Sequence, residues 1–296
     1  MTAPALLLVG HGTRDDAGAD AFRSFVARLG AAHPGLPVGG GFIELSPPPL
    51  ADAVRDMVAA GVREFAAVPL VLVSAGHAKG DIPAALARER RRHQGTSYAY
   101  GRPLGPHPDL LAVLERRVDE ALGGADRAGT TVLLVGRGST DPDANAEVLK
   151  TARLLWEGRG YTGVETAFVS LAEPSVTAGL DRCLRLGAER VVVLPYFLFP
   201  GVLPDRVREQ ARAWAAAYPG VDVRHAEVIG PEPELARLVM ERYREALQGD
   251  LRMNCDSCVY RIGLPGFEDR VGRPQQPHHH PDDPSHPHGH PHAHTG

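Results

Sequence analysis

Three polar residues stand where apolar runs end. His11 follows Leu6-Leu7-Leu8-Val9-Gly10, Glu44 follows Gly41-Phe42-Ile43, and His77 follows Leu72-Val73-Ser74-Ala75-Gly76. Two imidazoles and one carboxylate suit a divalent first-row metal with open coordination positions. Neutral imidazole also accepts protons near neutral pH. The same side chains can therefore act first as ligands and afterwards as bases. The glycines around His11 do not make a phosphate loop, because the P-loop lysine and the full Gly-x-Gly-x-x-Gly pattern are missing.

For these residues to meet, the runs that carry them must be parallel strands. An apolar run bounded by glycine reads as a strand buried on both faces. Strands are predicted at 5–9, 38–43, 65–73 and 97–100, and helices at about 17–32, 49–60, 81–93 and 108–122. This alternation predicts a parallel four-stranded sheet flanked by helices. Its carboxyl edge, where open α/β sheets bind ligands, would hold all three residues.

The second half of the chain repeats the first. Strand 131–135 and Gly136-Arg137-Gly138-Ser139-Thr140 match 6–9 and Gly10-His11-Gly12-Thr13-Arg14 at an offset of 126. Phe42-Ile43 matches Phe168-Val169, and Val68-Pro69-Leu70 matches Leu194-Pro195-Tyr196, at that same offset of 126. The second half has predicted strands near 131–135, 164–169, 190–197 and 221–224, with helices near 142–159, 175–186, 203–217 and 232–247. A constant offset over so long a stretch indicates duplication. The expected organisation is a domain at 1–124, a sister domain at 125–249 with a cleft between them, a Cys-containing segment at 250–273 and a tail at 274–296.

Duplication supplies an internal control. At equivalent positions His11 becomes Arg137, Glu44 becomes Ser170 and His77 becomes Leu203. The glycine frame and the core pattern survive, while the three polar residues do not. A residue needed only for folding should be kept in both halves, so the asymmetry marks His11, Glu44 and His77 as functional.

His-Gly-Thr-Arg at 11–14, Glu44 before Ser-Pro-Pro-Pro, and Gly-His-Ala-Lys-Gly-Asp-Ile-Pro at 76–83 together resemble the CbiX/SirB sirohydrochlorin chelatases, over about residues 5–247. The resemblance implies a chelatase-like α/β fold in double-length form. It implies insertion of Co2+ or Fe2+ into sirohydrochlorin, in cobalamin or sirohaem synthesis, with His11 and His77 catalytic and Glu44 completing the metal site. Cobalt is the first expectation and iron the second. A storage or delivery protein for cobalt or nickel, without catalysis, is the reading from another class. The macrocycle carries many carboxylates, for which Arg14, Lys79 and Arg137 are candidate partners.

Composition excludes other classes. The net charge of −4 over 296 residues gives no basic footprint for nucleic acid. No apolar run approaches the roughly 20 residues that cross a bilayer, and the start has no signal-peptide pattern, so a cytoplasmic protein is expected. Three cysteines, Cys183, Cys255 and Cys258, make no disulfide framework. Cys183 falls in a helical pattern and is assigned to the core. Cys255-Asp-Ser-Cys258 could hold zinc or an iron–sulfur cluster, or stay unliganded; the resemblance to long family members favours a cluster. Two thiols are half of what a cluster needs, which a homodimer would supply. Eight of the fourteen histidines, His278, His279, His280, His286, His288, His290, His292 and His294, fall in the last 23 residues. Interleaved with proline, they read as a disordered tail with affinity for divalent metals.

Overall fold

The computed structural model describes residues 3–249, 260–261 and 268–273. Cys255, Cys258 and the eight tail histidines lie outside the described residues. The first half runs β1 (Ala5–Gly10), α1 (Asp16–Ala32), β2 (Val38–Phe42), α2 (Leu50–Ala59), β3 (Glu64–Pro69), a π-helical turn (His77–Asp81), α3 (Ile82–Arg92), β4 (Ser97–Tyr100) and α4 (Pro108–Leu122). The second runs β5 (Thr131–Gly136), α5 (Pro142–Trp156), β6 (Gly163–Phe168), α6 (Val176–Arg185), β7 (Arg190–Pro195), α7 (Val202–Ala217), β8 (Asp222–His225) and α8 (Pro233–Gln248). Each half makes a fully parallel four-stranded sheet, ordered β2-β1-β3-β4 and β6-β5-β7-β8.

The central strands β1 and β5 are buried on both faces, as their unbroken apolar runs require. Successive side chains alternate between faces. Leu6 and Leu8, with Val132 and Leu134, enter one core shared by both halves. Leu7 and Val9 enter a separate outer core under α2 and α3, and Leu133 and Val135 another under α6 and α7. Cys183 is buried in that last core, as its helical position predicts.

Strand β3 is shorter than its apolar run, which the sequence reads as far as residue 73. The sheet ends at Pro69, and 70–76 leave it to line the space between the halves. Proline has no amide hydrogen for the ladder, and its position at the strand's end fits that exit.

The shared core is a layer of helices between the two sheets, and two of them are exchanged. Helix α8 packs across β3 and β4 of the first sheet, while α4 packs across β7 and β8 of the second. Gly123, in the left-handed region at φ 56°, ends α4 and starts the connection between halves. Neither half is a self-contained core, because the central cluster takes residues from both. Polar contacts lock the exchange. Arg242 of α8 is 1 % exposed and donates to the carbonyls of Pro103 and Leu104 at 3.2 and 2.8 Å. The Tyr243 hydroxyl donates to the Pro4 carbonyl at 2.6 Å.

Arg242→Ala orphans those carbonyls and leaves a cavity where α8 crosses the first sheet. It should lower unfolding free energy by about 2–4 kcal/mol, read from urea denaturation; a loss under half a kilocalorie would show that the exchange does not depend on this residue.

Candidate metal centre

The ladder between β1 and β2 continues past the strand ends. The Ile43 amide donates to the Gly10 carbonyl at 3.0 Å and the Glu44 amide to the His11 carbonyl at 3.1 Å, which sets Glu44 beside His11. Gly12, at φ +112°, makes the approach possible: a Cβ there would stand 1.8 Å from the Glu44 carbonyl oxygen. The Ser46 hydroxyl then joins the two loops, accepting from the Thr13 amide at 2.9 Å and donating to its carbonyl at 2.5 Å. The sister half keeps this frame with other side chains. Ser170 N donates to Arg137 O at 3.0 Å, and a Cβ on Gly138 would meet Ser170 O at 1.8 Å.

His77 comes from a different device. It opens the π-helical turn, in which the Ile82 amide bonds to the carbonyl five residues back. Such turns recur at functional sites. Here it brings the fully buried Asp81 carboxylate to 2.7 Å from His77 Nδ1. The sister half has an ordinary α-helix at this point, with Leu203 and Val207 in place of His77 and Asp81.

The three expected residues meet. His11 Nε2 lies 2.7 Å from His77 Nε2 and 3.0 Å from Glu44 Oε1, and one ligand atom from each residue falls within 4.8 Å of the others. All three are half-buried. His77 Nδ1 donates to the Asp81 carboxylate at 2.7 Å, which leaves His77 Nε2 as the acceptor facing His11. His11 Nε2 lies between that nitrogen and the Glu44 carboxylate, so a hydrogen on it, or a metal ion in its place, bridges the three groups. Two nitrogens bound to one first-row ion at about 2.1 Å each stand roughly 3 Å or more apart, so the pair needs to open only slightly to receive it.

Burial pushes the His77 imidazole below the ordinary histidine value, with Asp81 pulling the other way. Burial thus favours the neutral form of this imidazole.

The cluster lies on the wall of a cleft of about 910 Å3 between the carboxyl edges of the two sheets. That volume far exceeds what a metal ion needs and suits a large organic molecule. Phe22, Phe42, Tyr196, Phe197 and Leu198 contribute apolar walls. Arg14 and Arg137 both face the cleft, Arg137 with Nη1 3.5 Å from His11 Nε2. Lys79 does not. Its ammonium bonds to Asp141 at 2.7 Å and Asp143 at 2.9 Å, a nearly buried pair across the halves. Burial opposes the charge, but the two carboxylates outweigh it and raise the lysine above its usual value. Its charge is already matched, so the expectation that Lys79 meets the substrate is replaced by a role in holding the His77 loop. Glu147 supports the same loop, accepting from the Ser74 amide at 2.7 Å and its hydroxyl at 3.2 Å.

Several of these residues escape a reading of the sequence. Asp81 was detectable: it stands four residues after His77, and its counterpart is the apolar Val207. Asp143 and Glu147 carry a fainter signal, since their counterparts are Ala17 and Ala21. Arg270 and Arg273, which also line the cleft, have no counterpart and no sequence signal. Among the described residues, no helix is long and apolar enough to cross a membrane.

The sequence model of the CbiX family matches residues 5–121 and again 131–246. A sirohydrochlorin cobaltochelatase of Priestia megaterium is 37% identical over 265 residues, covering 88% of this chain and 85% of that protein. A sirohydrochlorin ferrochelatase of the same organism is 34% identical over 209 residues, covering 70% and 77%. The solved structure of SirB from Bacillus subtilis with Fe3+ superposes with a TM-score of 0.72 at 28% identity, over 85% of this chain and 99% of that one.

Asp81→Asn keeps the shape of the turn but removes the charge that orients and polarises His77. Co2+ affinity should drop about 10–100-fold with the far-UV spectrum unchanged; unchanged affinity in a calorimetric titration would refute the assignment. Protons and metal compete for the same Nε2 lone pairs. Since His77 is already held below the ordinary value of about 6.5, Co2+ affinity should fall as pH is lowered beneath that value. Titrations at several pH values check the sign.

Proposed function

Because the chain belongs to the CbiX family, we propose that it inserts Co2+ into sirohydrochlorin, with His11, Glu44 and His77 as the metal-holding residues. One observation carries the reading: two imidazole Nε2 atoms and a carboxylate converge at the wall of a cleft sized for a macrocycle. The cobaltochelatase relative, which spans most of both chains, supports cobalt as the metal.

The residues account for the chemistry. Metalation exchanges two pyrrole N–H protons for one divalent ion. Two imidazoles and one carboxylate hold the ion while leaving coordination positions open to ring nitrogens. When the ion passes to the ring, the imidazole pair can take one proton between its Nε2 atoms and the Glu44 carboxylate can take the other. Asp81, bonded to the far side of His77, stabilises the imidazolium that results. Arg14 and Arg137 face the cleft with positive charge that suits the carboxylates at the macrocycle's rim.

Iron is the second reading, on the strength of the ferrochelatase relative. Donor atoms alone do not decide, because metal choice in cells follows geometry and availability rather than affinity order. Initial rates of sirohydrochlorin metalation, followed by absorbance with Co2+ and with anaerobic Fe2+, discriminate the two. A protein that binds metal tightly without accelerating either reaction would be a storage protein instead.

His11→Ala and His77→Ala should each lower turnover on the order of a hundredfold or more, with melting nearly unchanged; retained turnover would remove the site. The tail histidines from His278 to His294 are assigned to metal capture. Deleting 274–296 should leave turnover intact at saturating Co2+ and reduce it when Co2+ is scarce, and an equal loss at both levels would contradict that role. Cys255 and Cys258 are assigned to an iron–sulfur cluster shared across a homodimer. A colourless protein after anaerobic reconstitution would contradict it.

A further inference from the structure

Each half of the chain holds one leucine in an unfavourable conformation at the cleft. Leu45 has φ 65° and Leu171 φ 62°, and no other non-glycine residue among those described has positive φ. Each is the centre of a three-residue turn: the Ser46 amide donates to the Glu44 carbonyl at 2.7 Å, and the Ala172 amide to the Ser170 carbonyl at 2.8 Å. A γ-turn with positive φ at its centre is rare and strained, and leucine is poorly suited to it compared with glycine or asparagine. Both side chains are nevertheless exposed, at 45 % and 59 %, and both line the cleft.

Fold inheritance explains the turn but not the leucine. In the first half the turn sets the backbone of Glu44. In the second the corresponding residue is Ser170, which is not a metal-holding residue, and Ala172 replaces the bridging Ser46. The reasons for the turn have gone, and still an exposed leucine occupies its tip. Strained, solvent-facing apolar side chains at a cleft point to a ligand that covers them.

We propose that Leu45 and Leu171 are substrate-positioning residues: paired apolar contacts, one from each lobe, that hold the hydrophobic ring surface of the tetrapyrrole while the arginines engage its carboxylates. The strained turns aim the leucines at the ring, and covering them on binding contributes to affinity. This rests on the chelatase reading of the same cleft.

The test is binding of metal-free sirohydrochlorin, by fluorescence quenching, to the full chain. Leu171→Asn is the principal variant, because asparagine has similar size and tolerates positive φ. Its dissociation constant should rise about tenfold, the scale expected from burying much of a leucine. Its Co2+ affinity should stay at the wild-type value, and its thermal midpoint should not fall, because asparagine relieves the strained turn. Leu171→Met, apolar but reshaped, should bind within about threefold of wild type, and Leu45→Asn should weaken sirohydrochlorin binding as Leu171→Asn does. Unchanged sirohydrochlorin affinity in both asparagine variants overturns the inference while leaving the chelatase reading intact. A wild-type protein that fails to bind sirohydrochlorin overturns both.

Discussion

Two imidazole nitrogens face each other at 2.7 Å, and the surrounding structure keeps them there. Asp81 holds the outer nitrogen of His77, so its Nε2 is turned toward His11 as an acceptor. Glu44 adds negative charge to the same point. A site built this way attracts a cation. Half-exposed to a large cleft, and opposed by the Arg137 guanidinium, it also suits an ion that must leave again. Binding and release are both needed if the metal is a substrate, and neither a closed structural site nor a fully exposed one would serve.

The rest of the fold can be understood as support for that geometry. The β1–β2 ladder sets His11 beside Glu44, and Gly12 lets the loops approach. The His77 loop belongs to the first half but is held by the second, through Lys79 to Asp141 and Asp143 and through Ser74 to Glu147. Breaking a buried pair by removing one partner is costly, so these contacts restrict where the loop can sit. The exchanged helices α4 and α8 tie the lobes together through one core, which prevents the cleft walls from separating freely.

Divergence after duplication explains the division of labour. The first lobe holds the imidazoles, the acid and the π-helical turn. The second lacks them and carries carboxylates on α5 that grip its sister's loop. What both lobes retain is the glycine frame and the strained leucine tip, the parts that shape a cleft rather than hold a metal.

Local pattern was enough to determine the alternating elements, the duplication and the three metal-holding candidates. Strand periodicity, glycine placement and residue type are properties of short stretches, and a repeated sequence makes its own exceptions visible. It also marked the end of α4, where Gly123 takes the left-handed conformation. Tertiary structure alone decided which helix covers which sheet, because α4 and α8 are equally amphipathic partners for either lobe and only packing distinguishes them. It decided that Lys79 faces Asp141 and Asp143 rather than the cleft, since a lysine's charge says nothing of the carboxylates brought to it from 62 and 64 residues away. It also decided that Arg270 and Arg273 reach the cleft, because contacts that depend on how a chain returns to itself leave no local trace.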